Sequence, residues 1–264
     1  SGKVFEYTKN IFIDDNKVAL REKLTGAFGY ANISRASLFQ EEKYMNLWVA
    51  LESLARTRMY PDIISNVKQT VPAAMSLRYI YRIVRNYVED CIRCEVGFDF
   101  PNHYIDMNQE TKQKMVKETI EVFRTPELYN ILLQKSEVNS LLKYRTETVY
   151  KILNDMVILK DKVKNHHDRI EWQIQRLYRI RNEIVHSALQ NETSLIMYIE
   201  HLYDYLSTYI TEIVTCISER QESILEETLA VIKDNYDVFI AFMEKGEYQL
   251  VVEKVLNAGV INLI

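Results

Sequence analysis

Arg181-Asn182-Glu183-Ile184-Val185-His186 is the stretch of this sequence whose residue types can do chemistry. A histidine exchanges protons near neutral pH. An arginine stays charged and offers a planar fork of donors to phosphate oxygens. As a bare pattern, Arg followed five positions later by His carries little specificity. Asn182 directly after the Arg, two apolar residues before the His and a place near a helix end make it sharper.

Spacing limits what the run can do within one chain. Five positions on an ideal helix turn through about 500°, so Arg181 and His186 stand about 140° apart around the axis. Asn182 and His186, at i and i+4, share a face. One chain therefore makes a poor two-residue site unless the helix ends or distorts there. Two copies that bring their motifs together make an easier one. Arg169, Arg176 and Arg179 fall on the same predicted helix, a local cluster able to hold a phosphate backbone. Trp172 and Tyr178 lie among them and can stack bases, although an aromatic on a helix is more often core.

The elements that must position this run read as helices. Val4 to Ile13, rich in β-branched and aromatic residues, is the one good strand candidate, an extended N-terminal segment that is a linker or the edge of an upstream domain. Asp14-Asp15-Asn16 is a plausible N-cap for a first helix, about Lys17 to Gly29. Ser37 opens the next, with Gln40 or Glu41 in capping-box range and an apolar face from Leu38 through Trp48 and Leu54 to about Arg58. Pro72 suits the first turn of a long helix to about Cys94. Gly97 to Asn108 is the clearest loop and the best internal boundary. Further helices cover about Gln109–Phe123, Pro126–Gln134, Val138–Lys162 and Asp168–Ala188. Gln190 to Thr193 reads as a break. Ser194 to Lys245 is almost continuous, breaking near Ser218 to Ser223 or at Asn235, and a last short helix covers about Tyr248 to Asn257. Most of the 18 tyrosines, among them Tyr79, Tyr87, Tyr150, Tyr198, Tyr205 and Tyr209, fall at helical spacing and read as packing residues.

The totals agree with an all-α chain. It has 264 residues, 47% apolar and 27% charged, with 6 Gly and 4 Pro, too little punctuation for a many-turned β fold. A net charge of −4 gives no global basic signature, so any nucleic-acid site must be a local patch. No apolar run is long enough to cross a bilayer and none resembles a signal peptide. Three cysteines form no disulfide framework, which points to a reducing, cytoplasmic setting. Ser1-Gly2 reads as a tag remnant, and the chain as a candidate piece of a longer protein, with a regulatory domain fused upstream or supplied by a partner.

The Arg-Asn-x-x-x-His run resembles the Arg-x-x-x-x-His motif of the HEPN superfamily, in which a polar residue, often Asn, follows the Arg. A second stretch, Leu47-Trp48-Val49-Ala50-Leu51-Glu52-Ser53-Leu54, resembles the Leu-Trp-x-Ala-Leu-Glu-x-Leu helix of HEPN domains in the ApeA-like anti-phage group. The order fits, and the resemblance spans about Ser37 to Tyr209. The two motifs lie farther apart than in a minimal bundle, which requires a helical insertion near residues 97–135. Residues 1–36 then form an N-terminal extension with the first helix, and residues 37–264 the helical domain.

The resemblance implies an up-and-down helical bundle that dimerises and acts as a metal-independent endoribonuclease, leaving 2′,3′-cyclic phosphate ends, in an anti-phage or toxin-type system. It needs no cofactor. Cleaving RNA by its own 2′-hydroxyl requires a proton acceptor, a proton donor and a cation for the developing charge. On this reading His186 is the general base or acid, Arg181 the phosphate and transition-state ligand and Asn182 the positioner of His186. Arg176 and Arg179 bind RNA, and Glu52 is a candidate polar partner of Arg181 or His186. The alternative is a non-catalytic helical module that dimerises and binds RNA or protein.

Other candidates are weaker. Cys91-Ile92-Arg93-Cys94 has CxxC spacing but no second pair, and a zinc site needs about four ligands. His166-His167-Asp168 lacks further ligands at a telling spacing, and Asp168 reads as a helix N-cap. His103 falls in a loop and His201 on a helix, with no motif around either.

Overall fold

Backbone groups must be paired, and a chain with this apolar periodicity pairs them within helices. The computed structural model describes residues 2–14, 17–96, 109–187, 195–220, 224–247 and 251. Among them there are eleven α-helices and no strand. In chain order they are α1 (Gly2–Ile13), α2 (Val18–Ala36), α3 (Gln40–Ala55), α4 (Ile63–Leu77), α5 (Tyr79–Arg93) and α6 (Gln109–Arg124). Next come α7 (Pro126–Lys135), a 3₁₀ turn (Ser136–Val138), α8 (Ser140–Asn154), α9 (Met156–Ser187), α10 (Ile196–Arg220) and α11 (Leu225–Lys245).

Four local expectations change. Val4 to Ile13 is helical, not extended: with no strand beside it among the described residues, the segment satisfies its backbone internally and buries Ile11 as α1 packs on α10. Ser37 closes α2 instead of opening α3, its N–H and Oγ both donating to the Ile33 carbonyl. Pro72 sits inside α4, because Asp62 has already capped that helix through the Ser65 N–H (2.8 Å); the chain then breaks at Arg78, before α5.

The fourth change bears on the motif. The break between the two helices predicted over 138–188 falls at Asp155, not before Asp168. Asp155 Oδ1 accepts from the N–H groups of Val157 (2.9 Å) and Ile158 (3.1 Å), which starts α9 there. Asp168 is then an exposed residue in the interior of a 32-residue helix. Further on, α10 ends at Arg220 and α11 begins at Leu225, while Asn235 is buried inside α11. Gly97–Asn108 with His103, Gln190–Thr193 and most of Tyr248–Asn257 lie outside the described residues.

The chain divides into two compact units, and α4, α9 and α11 contribute residues to both. The first holds residues 1–75 and 167–236. There α3 packs between α2 and α10, with Leu24, Trp48, Leu51, Leu54 and Tyr209 buried, and Thr70 Oγ1 lies 2.7 Å from the Tyr209 hydroxyl. The second holds residues 76–166 and 237–263, including α5 to α8. Here Tyr87 meets Thr146 through their hydroxyls (2.9 Å), Tyr129 stacks on Tyr150 (3.8 Å), and Arg145 pairs with Asp90.

The N-cap assignment is testable by denaturant unfolding. Asp155→Ala should cost about 1 kcal/mol, as N-cap truncations do, while Asp168→Ala should stay within about 0.5 kcal/mol.

Candidate functional site

The Arg-Asn-x-x-x-His run occupies the last two turns of α9. Ile170, Ile174, Leu177 and Ile180 are buried, so their phase marks the core side of this half of the helix. The helical repeat puts Arg181 on that same side, about 40° from Leu177, and His186 about 180° from Leu177. Burial agrees: Arg181 and Asn182 are half-buried and His186 is exposed. Arg181 NH1 donates to Asn182 Oδ1 (3.1 Å), and Arg181 Nε is buried with no hydrogen-bond partner among the described residues. The structure thus brings Arg181 and Asn182 together. His186 makes no hydrogen bond to either, and Glu52, half-buried on α3, makes none to Arg181 or His186.

What holds this end of α9 is α3, through residues the motif does not contain. The buried Tyr44 hydroxyl donates to the Leu177 carbonyl at 2.5 Å, one turn before Arg181. Burial pushes the Tyr44 phenol far above its usual range, with Tyr198 and Glu183 acting in the same direction, so it remains a donor. Four residues on, Trp48 packs against Tyr178 with ring centroids 5.9 Å apart. Gln40 Oε1 accepts from the Leu195 N–H (3.0 Å), tying the start of α3 to the start of α10. Tyr44 was not singled out from the sequence. Its place four residues before Trp48, on the apolar phase of α3, is the signal that could have found it.

The flanking residues separate. Arg176 is exposed, and its guanidinium lies 5.1 Å from the centre of the Tyr198 ring. Arg169 and Arg179 are exposed, with no carboxylate in ion-pairing range among the described residues. Tyr178 is engaged with Trp48, whereas Trp172 is 72% exposed. The sequence carried that distinction: Trp172 is out of phase with Ile170, Ile174 and Leu177.

The other candidates are packing residues. Cys91 is buried, and burial pushes its thiol up to about 12; Cys94 is half-buried, and both are free. His166 stacks on Tyr79 (3.8 Å), His167 on Tyr236 (4.5 Å) and His201 on Tyr205 (6.2 Å). Among the described residues no three His, Cys, Asp or Glu side chains form a group able to hold a metal, and no helix is long and apolar enough to cross a membrane. Comparison with models of known families, with curated proteins and with solved structures gives no match.

His167 carries a pH prediction. Burial lowers its pKa below 6.5, outweighing the opposite pull of Asp168 and Glu171; Lys233 adds to the lowering. The folded protein therefore binds this proton less readily than the unfolded chain. The associated stability is present above pH 6.5 and is lost as pH falls below it. Denaturation midpoints for wild type should drop between pH 7.5 and 5.5 more steeply than those for His167→Gln.

Proposed function

We propose that the chain is a HEPN-type, metal-independent endoribonuclease that works as a homodimer, an effector of an anti-phage or toxin-type system. The observation that carries the reading is the placement of Arg181 and His186 on opposite sides of the end of one helix, each half of what the chemistry needs. Arg181, held by Asn182, is the anion ligand. The exposed His186 is the proton-transfer group, available to a phosphodiester or to a second copy. Asn182 acts on Arg181 here, so its proposed influence on His186 runs through the second copy.

Exposed apolar side chains in the unit that holds the motif suit a second copy. Leu38 (88% exposed) and Phe39 (66%) lie beside the Gln40–Leu195 link, and Ile196 is also exposed there. Val185, next to His186, is half exposed. Adjacent large apolar side chains left in water are typical of surfaces covered by a partner.

Cleavage of single-stranded RNA or tRNA in EDTA tests the activity. The wild type should yield 2′,3′-cyclic phosphate ends, and His186→Ala should lose at least about a hundredfold in rate, the usual scale for general acid–base catalysis. Equal cleavage by wild type and His186→Ala removes His186 from the chemistry. A wild type that never cleaves yet binds RNA leaves the non-catalytic binding module.

A further inference from the structure

Four exposed residues on α9, Arg169, Trp172, Arg176 and Arg179, are spaced three, four and three apart. That spacing keeps them within about 80° of arc, on one stripe. Extending it by four and three more residues reaches Glu183 and then His186, both exposed as well. The stripe therefore leads from Trp172 to the proposed catalytic histidine over about 21 Å. All of these residues belong to the first unit.

An isolated exposed apolar residue needs no explanation. Trp172 is different because of what flanks it. It is one of two tryptophans; the other, Trp48, is fully buried, while Trp172 is 72% exposed. Arginines stand three residues before it and four after. Arg176 is held over the Tyr198 ring, and a guanidinium stacked in this way keeps donors for a phosphate. Asp168 and Glu183, both exposed, bound the positive segment, which runs about 15 Å from Arg169 to Arg179. Cations alternating with an open aromatic face are the arrangement that binds unpaired nucleotides: the backbone meets the charges and a base stacks on the ring. A duplex keeps its bases stacked on one another and offers Trp172 no free face.

We propose that this stripe is a track for single-stranded RNA, with one base stacked on Trp172 and neighbouring phosphates on Arg169, Arg176 and Arg179. The track delivers the strand towards His186. Its direction rests on the reading of His186 as the cutting residue; the binding itself does not.

The test uses a single-stranded 2′-O-methyl RNA oligonucleotide, which lacks the free hydroxyl that cleavage needs, and the same sequence as a duplex. The single strand should quench the tryptophan fluorescence through Trp172, and the duplex should not. Trp172→Ala, at an exposed position, should weaken binding about tenfold, and Trp172→Tyr should keep most of it. With three arginine contacts, log K should fall with log salt at a slope of about −2. Unchanged affinity in Trp172→Ala, or equal quenching by the duplex, overturns the track. Trp172-dependent binding in a protein that cuts no RNA upholds the track and discards the catalytic reading instead.

Discussion

The hydrogen bond from the buried Tyr44 hydroxyl to the Leu177 carbonyl fixes the rotation of α9 against α3, and the candidate site depends on that rotation. A helix has one angular degree of freedom about its axis. Once Leu177 faces Tyr44, and Tyr178 faces Trp48, the direction of every later residue follows from about 100° per position. Arg181 turns towards the core and His186 towards water. The donor to Leu177 is a phenol that burial keeps protonated, so the contact is insensitive to pH around neutrality.

This rotation separates groups that phosphodiester chemistry needs together. Arg181 can reach Asn182, and its buried Nε has no partner among the described residues. A buried guanidinium nitrogen without a partner carries a desolvation cost, and incoming oxygen atoms would offset it. His186 and Val185 present a polar and an apolar side chain to the outside, with Leu38, Phe39 and Ile196 exposed in the same unit. On the proposed reading, a second copy covers such apolar side chains and brings the other group of the site. The same rotation sets Arg169, Trp172, Arg176 and Arg179 facing solvent, so the proposed site and the proposed track are consequences of a single packing choice.

Much of the helical architecture was legible in the sequence: the ranges expected for α6 and α7 agree with the helices to within a residue. The misses share a cause: local residue types do not reveal their packing partners. Val4 to Ile13 has strand-forming residues, but α10 offers a helix a surface to bury Ile11. Asp155 and Asp168 are equally good N-caps by type, and what separates them is the continuous buried series Leu159, Val163, Ile170, Ile174 and Leu177, which crosses Asp168 without a break. For the candidate site, the sequence names residues but not their contacts. Asn182 shares a helical face with His186, yet its carbonyl is taken by the neighbouring Arg181, a pairing of side chains that spacing alone does not reveal.

The claim that one chain supplies half a site is tested most directly by complementation. Arg181→Ala and His186→Ala chains, each inactive alone on single-stranded RNA in EDTA, are unfolded and refolded together so that mixed pairs form. A site shared between two copies predicts that the mixture cleaves, because a mixed pair retains one intact arginine and one intact histidine from different chains. If the mixture stays as inactive as either variant while the wild type treated in the same way cleaves, each chain carries its own complete site and the account is contradicted.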